Sequence, residues 1–370
     1  MKDFFLNNPT NKLCHDKIHF ILDNDNALNY HNKLEEYSKT PMIQLNGLAK
    51  KIGVSKIFIK DESKRFGLNA YKVLGASYAI YKILSMNPKV STFCTATDGN
   101  HGMAVAWSCN MNNKESVIYV PKDTSDQRIQ SLSAIASRVY KTDLNYEGTC
   151  QLAKTTSRKM NWQLVQDTSW KGYEEIPAYI MSGYLTQFKE LENEINAIKK
   201  PKADIIFFQT GVGSWAASGI WYYLNKYGPK RPKIILVEPN ESSGVFESFI
   251  NGKRISPKGN FKTIMAGLNC GIPSKIAWEI IKNGCDACLK ISDKYAKEAM
   301  RSLFYNHNKD LRVISGESGA AGLAGLMKCI KEKSLENLRN HIGLSSDSRI
   351  LVFNTEGDTD KESFKSLIKN

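Results

Sequence analysis

Residues 204–219 read Asp-Ile-Ile-Phe-Phe-Gln-Thr-Gly-Val-Gly-Ser-Trp-Ala-Ala-Ser-Gly. Four consecutive apolar residues, a glycine-punctuated turn and a helical stretch are the pattern of a buried parallel strand feeding a helix. The pattern recurs along the chain. Short β-rich runs at 56–60, 91–97, 116–121, 163–166, 204–210, 233–238, 287–291 and 349–354 read as strands. Between most of them lie helical-period segments at 70–84, 101–110, 126–136, 148–161, 177–194, 214–225, 293–305 and 319–333. Strands alternating with helices predict an α/β fold, with parallel-rich sheets covered by helices on both faces. The first forty-odd residues read as polar and irregular. A Lys- and Pro-containing stretch at 198–203 reads as a crossing between two lobes. A smaller α/β domain over 81–186 is then inserted into a larger one formed by 1–80 and 187–370. Ligands of such sheets sit beyond the carboxyl ends of the strands, so the strand-to-helix turns are where chemistry is expected.

The 370-residue length fits two lobes, and 42% hydrophobic with 24% charged residues is globular composition. The longest apolar runs, such as 205–208 and 234–237, are far too short to cross a bilayer. The N-terminal residues carry neither an apolar core nor a small-residue cleavage site, so the cytoplasm is the expected compartment. Eight cysteines are scattered, and only Cys285 and Cys288 have C-x-x-C spacing. With no second pair to complete a zinc cage they read as two ordinary thiols, and no metal is expected. The net charge of +14 raises the question of nucleic acid. Lysines dispersed along the chain, sparse Arg and no basic run interleaved with aromatics argue instead for a small anionic ligand.

Three strand-to-helix turns hold candidate chemistry. Gly211, Val212, Gly213 and Ser214 open a helix, where backbone N–H groups close on a phosphate at the positive helix end. Read as G-x-G-x-x-A, the same turn also matches a dinucleotide fingerprint, with Glu238 in the place of a ribose-binding acid. In 60–77, Lys-Asp-Glu-Ser-Lys-Arg-Phe-Gly-Leu-Asn-Ala-Tyr-Lys-Val-Leu-Gly-Ala-Ser, Lys72 begins a helix among Val73, Leu74, Ala76 and Ala79. Burial there favours the neutral amine, the form that attacks carbonyls. In 95–102, Thr-Ala-Thr-Asp-Gly-Asn-His-Gly, the loop amides and Asn100 suit an oxyanion, and Asp98 offers an acid or base; simple helix capping explains Asp98 and Asn100 equally well.

Taken together and in order, these turns resemble the fold-type II (tryptophan synthase β-like) pyridoxal phosphate enzymes. The stretches KDESKRFGLNAYKVLGASYAI, ATDGNHGMAVAW, VQDTSWKGYEEIPAYIMSGY, TIMAGLNCG, SGESGAAGL and NTEGDTD are similar to the diaminopropionate ammonia-lyase family, from about Thr40 to Asp360. Serine and threonine dehydratases of the same superfamily usually have Ser where Asp98 stands, which separates the two readings. The Gln-Thr-Gly-Val-Gly turn is less glycine-rich than the usual phosphate loop of the superfamily.

The resemblance implies pyridoxal 5'-phosphate held by Lys72 as a Schiff base. Gly211, Val212, Gly213 and Ser214 would hold its phosphate, Asn100 its phenolic oxygen, and Thr355 would face the pyridine nitrogen. Asp98, Gly99, Asn100, His101 and Asp167 would surround the substrate, with His101 in a positioning role. The implied reaction is α,β-elimination of D- and/or L-2,3-diaminopropionate to pyruvate and two ammonia, in a cytoplasmic homodimer. Lys72 and Asp98 would serve opposite faces of Cα, and Asp167 would hold the β-ammonium or assist proton transfer. The alternatives are a serine/threonine dehydratase-type ammonia-lyase and an NAD-dependent oxidoreductase.

Overall fold

The computed structural model describes residues 3–13, 16–97, 99–194, 203–305 and 307–369, and of 192–194 the backbone alone. Eleven strands among these form two sheets. They are β1 (Phe4–Leu6), β2 (Met42–Gln44), β3 (Lys56–Asp61), β4 (Thr92–Ala96), β5 (Glu115–Val120), β6 (Arg138–Lys141), β7 (Gln163–Leu164), β8 (Ile205–Gln209), β9 (Lys233–Pro239), β10 (Ala287–Ile291) and β11 (Arg349–Asn354). The larger sheet runs β1-β10-β9-β8-β11-β3-β2 and the smaller β6-β5-β4-β7.

Every interior pairing of the large sheet is parallel, and only its edge strands β1 and β2 run antiparallel. The small sheet is parallel throughout. Strands such as β8, buried at all five residues, are covered on both faces, which explains an unbroken apolar run in place of alternation. β1, β2 and β6, missing from the sequence reading, are short edge strands that bury little and so leave no such run.

The N-terminal region is more ordered than its polarity suggests. It carries the helices Lys17–Leu22 and Asn26–His31, the first capped by Asp16, which accepts from Ile18 and His19. His31 is fully buried there, bonding Thr186 Oγ1 and the Leu74 carbonyl. The expected strand over 163–166 shortens to Gln163–Leu164, because the chain then turns into the cleft. The expected crossing at 198–203 lies outside the described residues up to 202. The expected boundaries at 80/81 and 186/187 fall inside the helices Lys72–Met86 and Glu175–Glu194. These two helices share one apolar cluster that includes Leu74, Ile80, Tyr184 and Phe188.

Candidate active site

The carboxyl ends of β4, β8 and β11 open into one cleft of about 240 Å³, lined from both sheets. Lys72 stands at its floor as the first residue of the helix Lys72–Met86. The segment before it is fastened to the end of β11. Tyr71 N donates to the Thr355 carbonyl (3.2 Å), and Gly357 N donates to the Asn69 carbonyl (2.8 Å). Further upstream, the charges of Lys60, Glu62 and Arg65 turn inward. Lys60 pairs with Glu190 (2.8 Å), while Arg65 pairs with Glu62 (2.8 Å) and Glu190 (2.7 Å), all four side chains shut off from solvent. Two cations against two anions leave the cluster neutral, so it braces the loop without a net buried charge.

Lys72 Nζ donates to Asp167 Oδ2. Asp167 arrives from the segment after β7, and its carbonyl accepts from Ser214 Oγ (2.6 Å), tying it to the glycine turn. Burial opposes the charge on Lys72, but Asp167 outweighs it, aided by Tyr184 and Tyr71, and the amine sits well above its ordinary pKa. Burial likewise works against the Asp167 carboxylate, yet the Lys72 ammonium brings it down to about 2. The expected neutral amine is therefore corrected: a local apolar setting favours neutrality, but a carboxylate 95 residues away supplies a counter-charge.

Asp98 lies outside the described residues. Beyond it, Gly99 caps the helix Asn100–Met111, and Asn100 Nδ2 donates to Glu356 Oε2. His101 is buried, with Nε2 bonded to the Val165 carbonyl (2.9 Å). That carbonyl can only accept, so Nε2 carries the proton and Nδ1 is left as an acceptor. Nδ1 has no partner among the described residues. Burial lowers the His101 pKa, which keeps the ring neutral and unsuited to a cationic role.

The glycine turn has the geometry to hold an anion. Gly213, at φ +92°, caps the helix Ser214–Tyr227 without a side-chain bond, and the first amides of a helix have no intrahelical acceptor. A Cβ on Gly211 would come within 2.9 Å of Cys270 Sγ, and one on Gly213 within 2.9 Å of Ile281 Cδ1. Val212 is anchored by its carbonyl, which accepts from Ser274 N (2.8 Å). Thr355 Oγ1 accepts from Gln209 Nε2 (2.9 Å). An amine, an anion cradle, a hydroxyl and an orphaned imidazole nitrogen around one cavity fit pyridoxal phosphate with an amino-acid substrate.

Two residues of the site, Glu356 and Gln209, were not singled out by the sequence. Glu356 is buried, taking Asn100 Nδ2 and Ser318 N (3.0 Å). Gln209 is buried at the end of β8. Only their position beside glycine turns at strand ends could have singled them out. Ser318 lines the cleft and accepts from Gly267 N (3.0 Å), whereas Glu317 accepts from Ser363. Glu238 is fully buried and accepts from Val245 N (2.8 Å) and Phe246 N (2.7 Å), with burial pushing its pKa up to about 8. It cannot reach a ribose, which removes the dinucleotide alternative. Cys285 and Cys288 are buried free thiols with sulfurs 3.9 Å apart.

Comparison with known proteins agrees with this geometry. A family profile described as "Pyridoxal-phosphate dependent enzyme" matches residues 34–353. The chain is 36% identical over 360 residues to the diaminopropionate ammonia-lyase of Escherichia coli (strain K12), covering 92% of this chain and 90% of that one. It is 24% identical over 343 residues to a biosynthetic L-threonine dehydratase of Staphylococcus aureus (strain NCTC 8325 / PS 47), covering 86% and 78%. Among solved structures, it resembles the Escherichia coli diaminopropionate ammonia-lyase in complex with an aminoacrylate-PLP azomethine reaction intermediate. That match has a TM-score of 0.90 and 34% identity over 99% of this chain and 96% of the other.

Proposed function

The chain belongs to the pyridoxal-phosphate dependent enzyme family with a fold-type II architecture, and we propose that it is a carbon–nitrogen lyase converting 2,3-diaminopropionate and water to pyruvate and two ammonia. The observation that carries this is the Lys72–Asp167 pair, set between the Gly211–Ser214 cradle and the 99–101 turn.

Bound at Lys72, the cofactor supplies a carbonyl for the substrate α-amine and an electron sink that acidifies the Cα–H bond. The amides of Gly99, Asn100 and His101 orient the substrate carboxylate. Lys72 Nζ, once free, takes the Cα proton on one face, and Asp98 serves the other, which allows either isomer to react. An amine leaves well only when protonated. Asp167 and His101 Nδ1 are the acceptors that hold a β-ammonium at the point of departure. The same two groups discriminate against serine, whose β-hydroxyl brings no cation. Asn100 and Thr355 would hold the cofactor ring, and Gly211, Val212, Gly213 and Ser214 its phosphate.

The division into a large domain (1–80 and 187–370) and a smaller one (81–186), homodimeric assembly and a cytoplasmic setting belong to the same proposal. No helix among the described residues is long and apolar enough to cross a membrane. The test is pyruvate release from D- and L-2,3-diaminopropionate beside serine and threonine. Faster turnover of the hydroxy amino acids would overturn the substrate assignment in favour of a dehydratase.

A further inference from the structure

The helices Lys72–Met86 and Glu175–Glu194 cross so closely that each has a glycine at the contact. A Cβ on Gly183 would stand 2.2 Å from the Leu74 carbonyl oxygen. One on Gly75 would stand 2.5 Å from Tyr184 Cε1 and 2.8 Å from its Cζ. Gly75 is one turn beyond Lys72 on the same helix face, so the notch it leaves seats the Tyr184 ring beneath the amine. The ring also meets Tyr71, with centroids 5.0 Å apart. Tyr184 is shut off from solvent, and its hydroxyl has no hydrogen-bond partner among the described residues. A buried hydroxyl left unpaired is costly. The charged groups that bear on it are Lys72 and Asp167, and burial holds its pKa well above 10, so the phenol acts by hydrogen bonding alone.

We propose that Tyr184 is a positioning residue for Lys72, its phenol oxygen accepting an N–H of the freed amine and turning the nitrogen lone pair toward the substrate Cα. In the resting pair Lys72 Nζ is turned to Asp167 instead. Asp167 cannot hold the amine while it holds a β-ammonium, and His101 Nε2 is committed to the Val165 carbonyl. The Tyr71 ring, its centroid 5.6 Å from Lys72 Nζ, closes the same side. Without the phenol the freed amine swings on its flexible stem, and the base at one face of Cα loses its aim. The other face, served by Asp98, is untouched. This inference rests on the two-face reading of the proposed function.

The test compares wild type with Tyr184→Phe, which keeps the ring in the Gly75 notch. Full-length apoprotein is labelled with trace acetic anhydride, and acetylation of Lys72 is read by peptide mass spectrometry. The buried Lys60 is the internal control. Loss of an oxygen that favours the ammonium should raise Lys72 labelling roughly threefold and leave Lys60 unchanged. In the loaded enzyme, kcat should fall roughly tenfold for the isomer that Asp98→Asn spares and less than about twofold for the other, at unchanged KM. A merely structural contact between the two helices would leave Lys72 labelling as in wild type or raise Lys60 with it, and would cost both isomers equally. Each of those results overturns the proposal. Should Tyr184→Phe misfold, fluorotyrosine incorporated at position 184 decides by fluorine NMR of the holoenzyme. Alanine, which frees Lys72 but carries no leaving group, should shift that signal, and a signal that stays in place overturns the assignment. A wild type that captures no pyridoxal phosphate would defeat the functional reading instead, while the labelling of Lys72 still judges the phenol.

Discussion

Asp167→Asn removes a charge from the site while keeping the shape of the side chain. The Lys72 and Asp167 side chains are 16% and 7% exposed, so solvent screens the pair weakly. The Asp167 carboxyl lies at about 2 against an ordinary 3.8, despite a burial effect that acts the other way. At about 1.4 kcal/mol per pH unit, that depression corresponds to roughly 2 kcal/mol of native-state stabilisation. Because the folded pKa is the lower one, this stability is fully present above the unfolded carboxyl value of about 4. It is lost as pH falls from there through about 2. In the apoprotein, the urea-unfolding free energy of wild type should thus exceed that of the variant by roughly 2 kcal/mol from about pH 5 upward. The gap should close on acidification. The variant also removes the largest influence that opposes the burial of Lys72, so its pKa falls and more amine is neutral at a given pH. Capture of pyridoxal phosphate, followed by the growth of visible absorbance, should become faster near neutrality. Turnover of diaminopropionate should meanwhile fall by roughly 10²–10³-fold, because the β-ammonium has lost its anion. Faster capture with slower turnover is a combination that general damage to the site does not produce. Superimposable capture rates across pH for the two proteins would refute the electrostatic account of Lys72.

Lys72→Ala should leave a colourless protein without pyruvate release but with wild-type far-ultraviolet circular dichroism; residual steady-state turnover would place the chemistry elsewhere. Asp98→Asn should reduce activity on the D isomer more than on the L isomer, and equal losses would defeat the assignment of two faces. Gly213→Ala forces a Cβ onto Ile281 at φ +92° and should weaken cofactor binding by roughly tenfold in apoprotein titrations. Glu356→Ala strips the acceptor from Asn100 and Ser318 N, and should cost about 1–3 kcal/mol in thermal or urea unfolding. An unchanged midpoint would make those bonds unimportant.

What was legible in the sequence follows from how each feature is stabilised. β8 and β11 are buried along their length, so burial writes itself as an apolar run. The edge strands β1, β2 and β6 bury little, and the helices Lys17–Leu22 and Asn26–His31 are six residues each, too short to display a period. That the turns at 211–214 and 99–101 line the cleft was legible because both are glycine-bearing strand-to-helix turns. What stayed hidden is long-range charge. The run 60–65 looks solvated, yet Lys60, Glu62 and Arg65 are buried because Glu190 reaches them from another helix.

Lys72 makes the same point for reactivity. Its apolar neighbours correctly signal burial, and burial alone argues for a neutral nucleophile. The structure adds Asp167, whose placement depends on Ser214 holding its carbonyl and so on the glycine turn itself. The amine that captures the cofactor and the carboxylate that faces the leaving group thus share one proton-holding pair before any ligand arrives. Deprotonation of Lys72 must leave the Asp167 charge exposed to the cavity, where a substrate bearing a β-ammonium can take the place of the lost cation. A β-hydroxyl cannot supply that replacement charge, so under the proposed function the pairing that delays cofactor capture would also select a diamino acid.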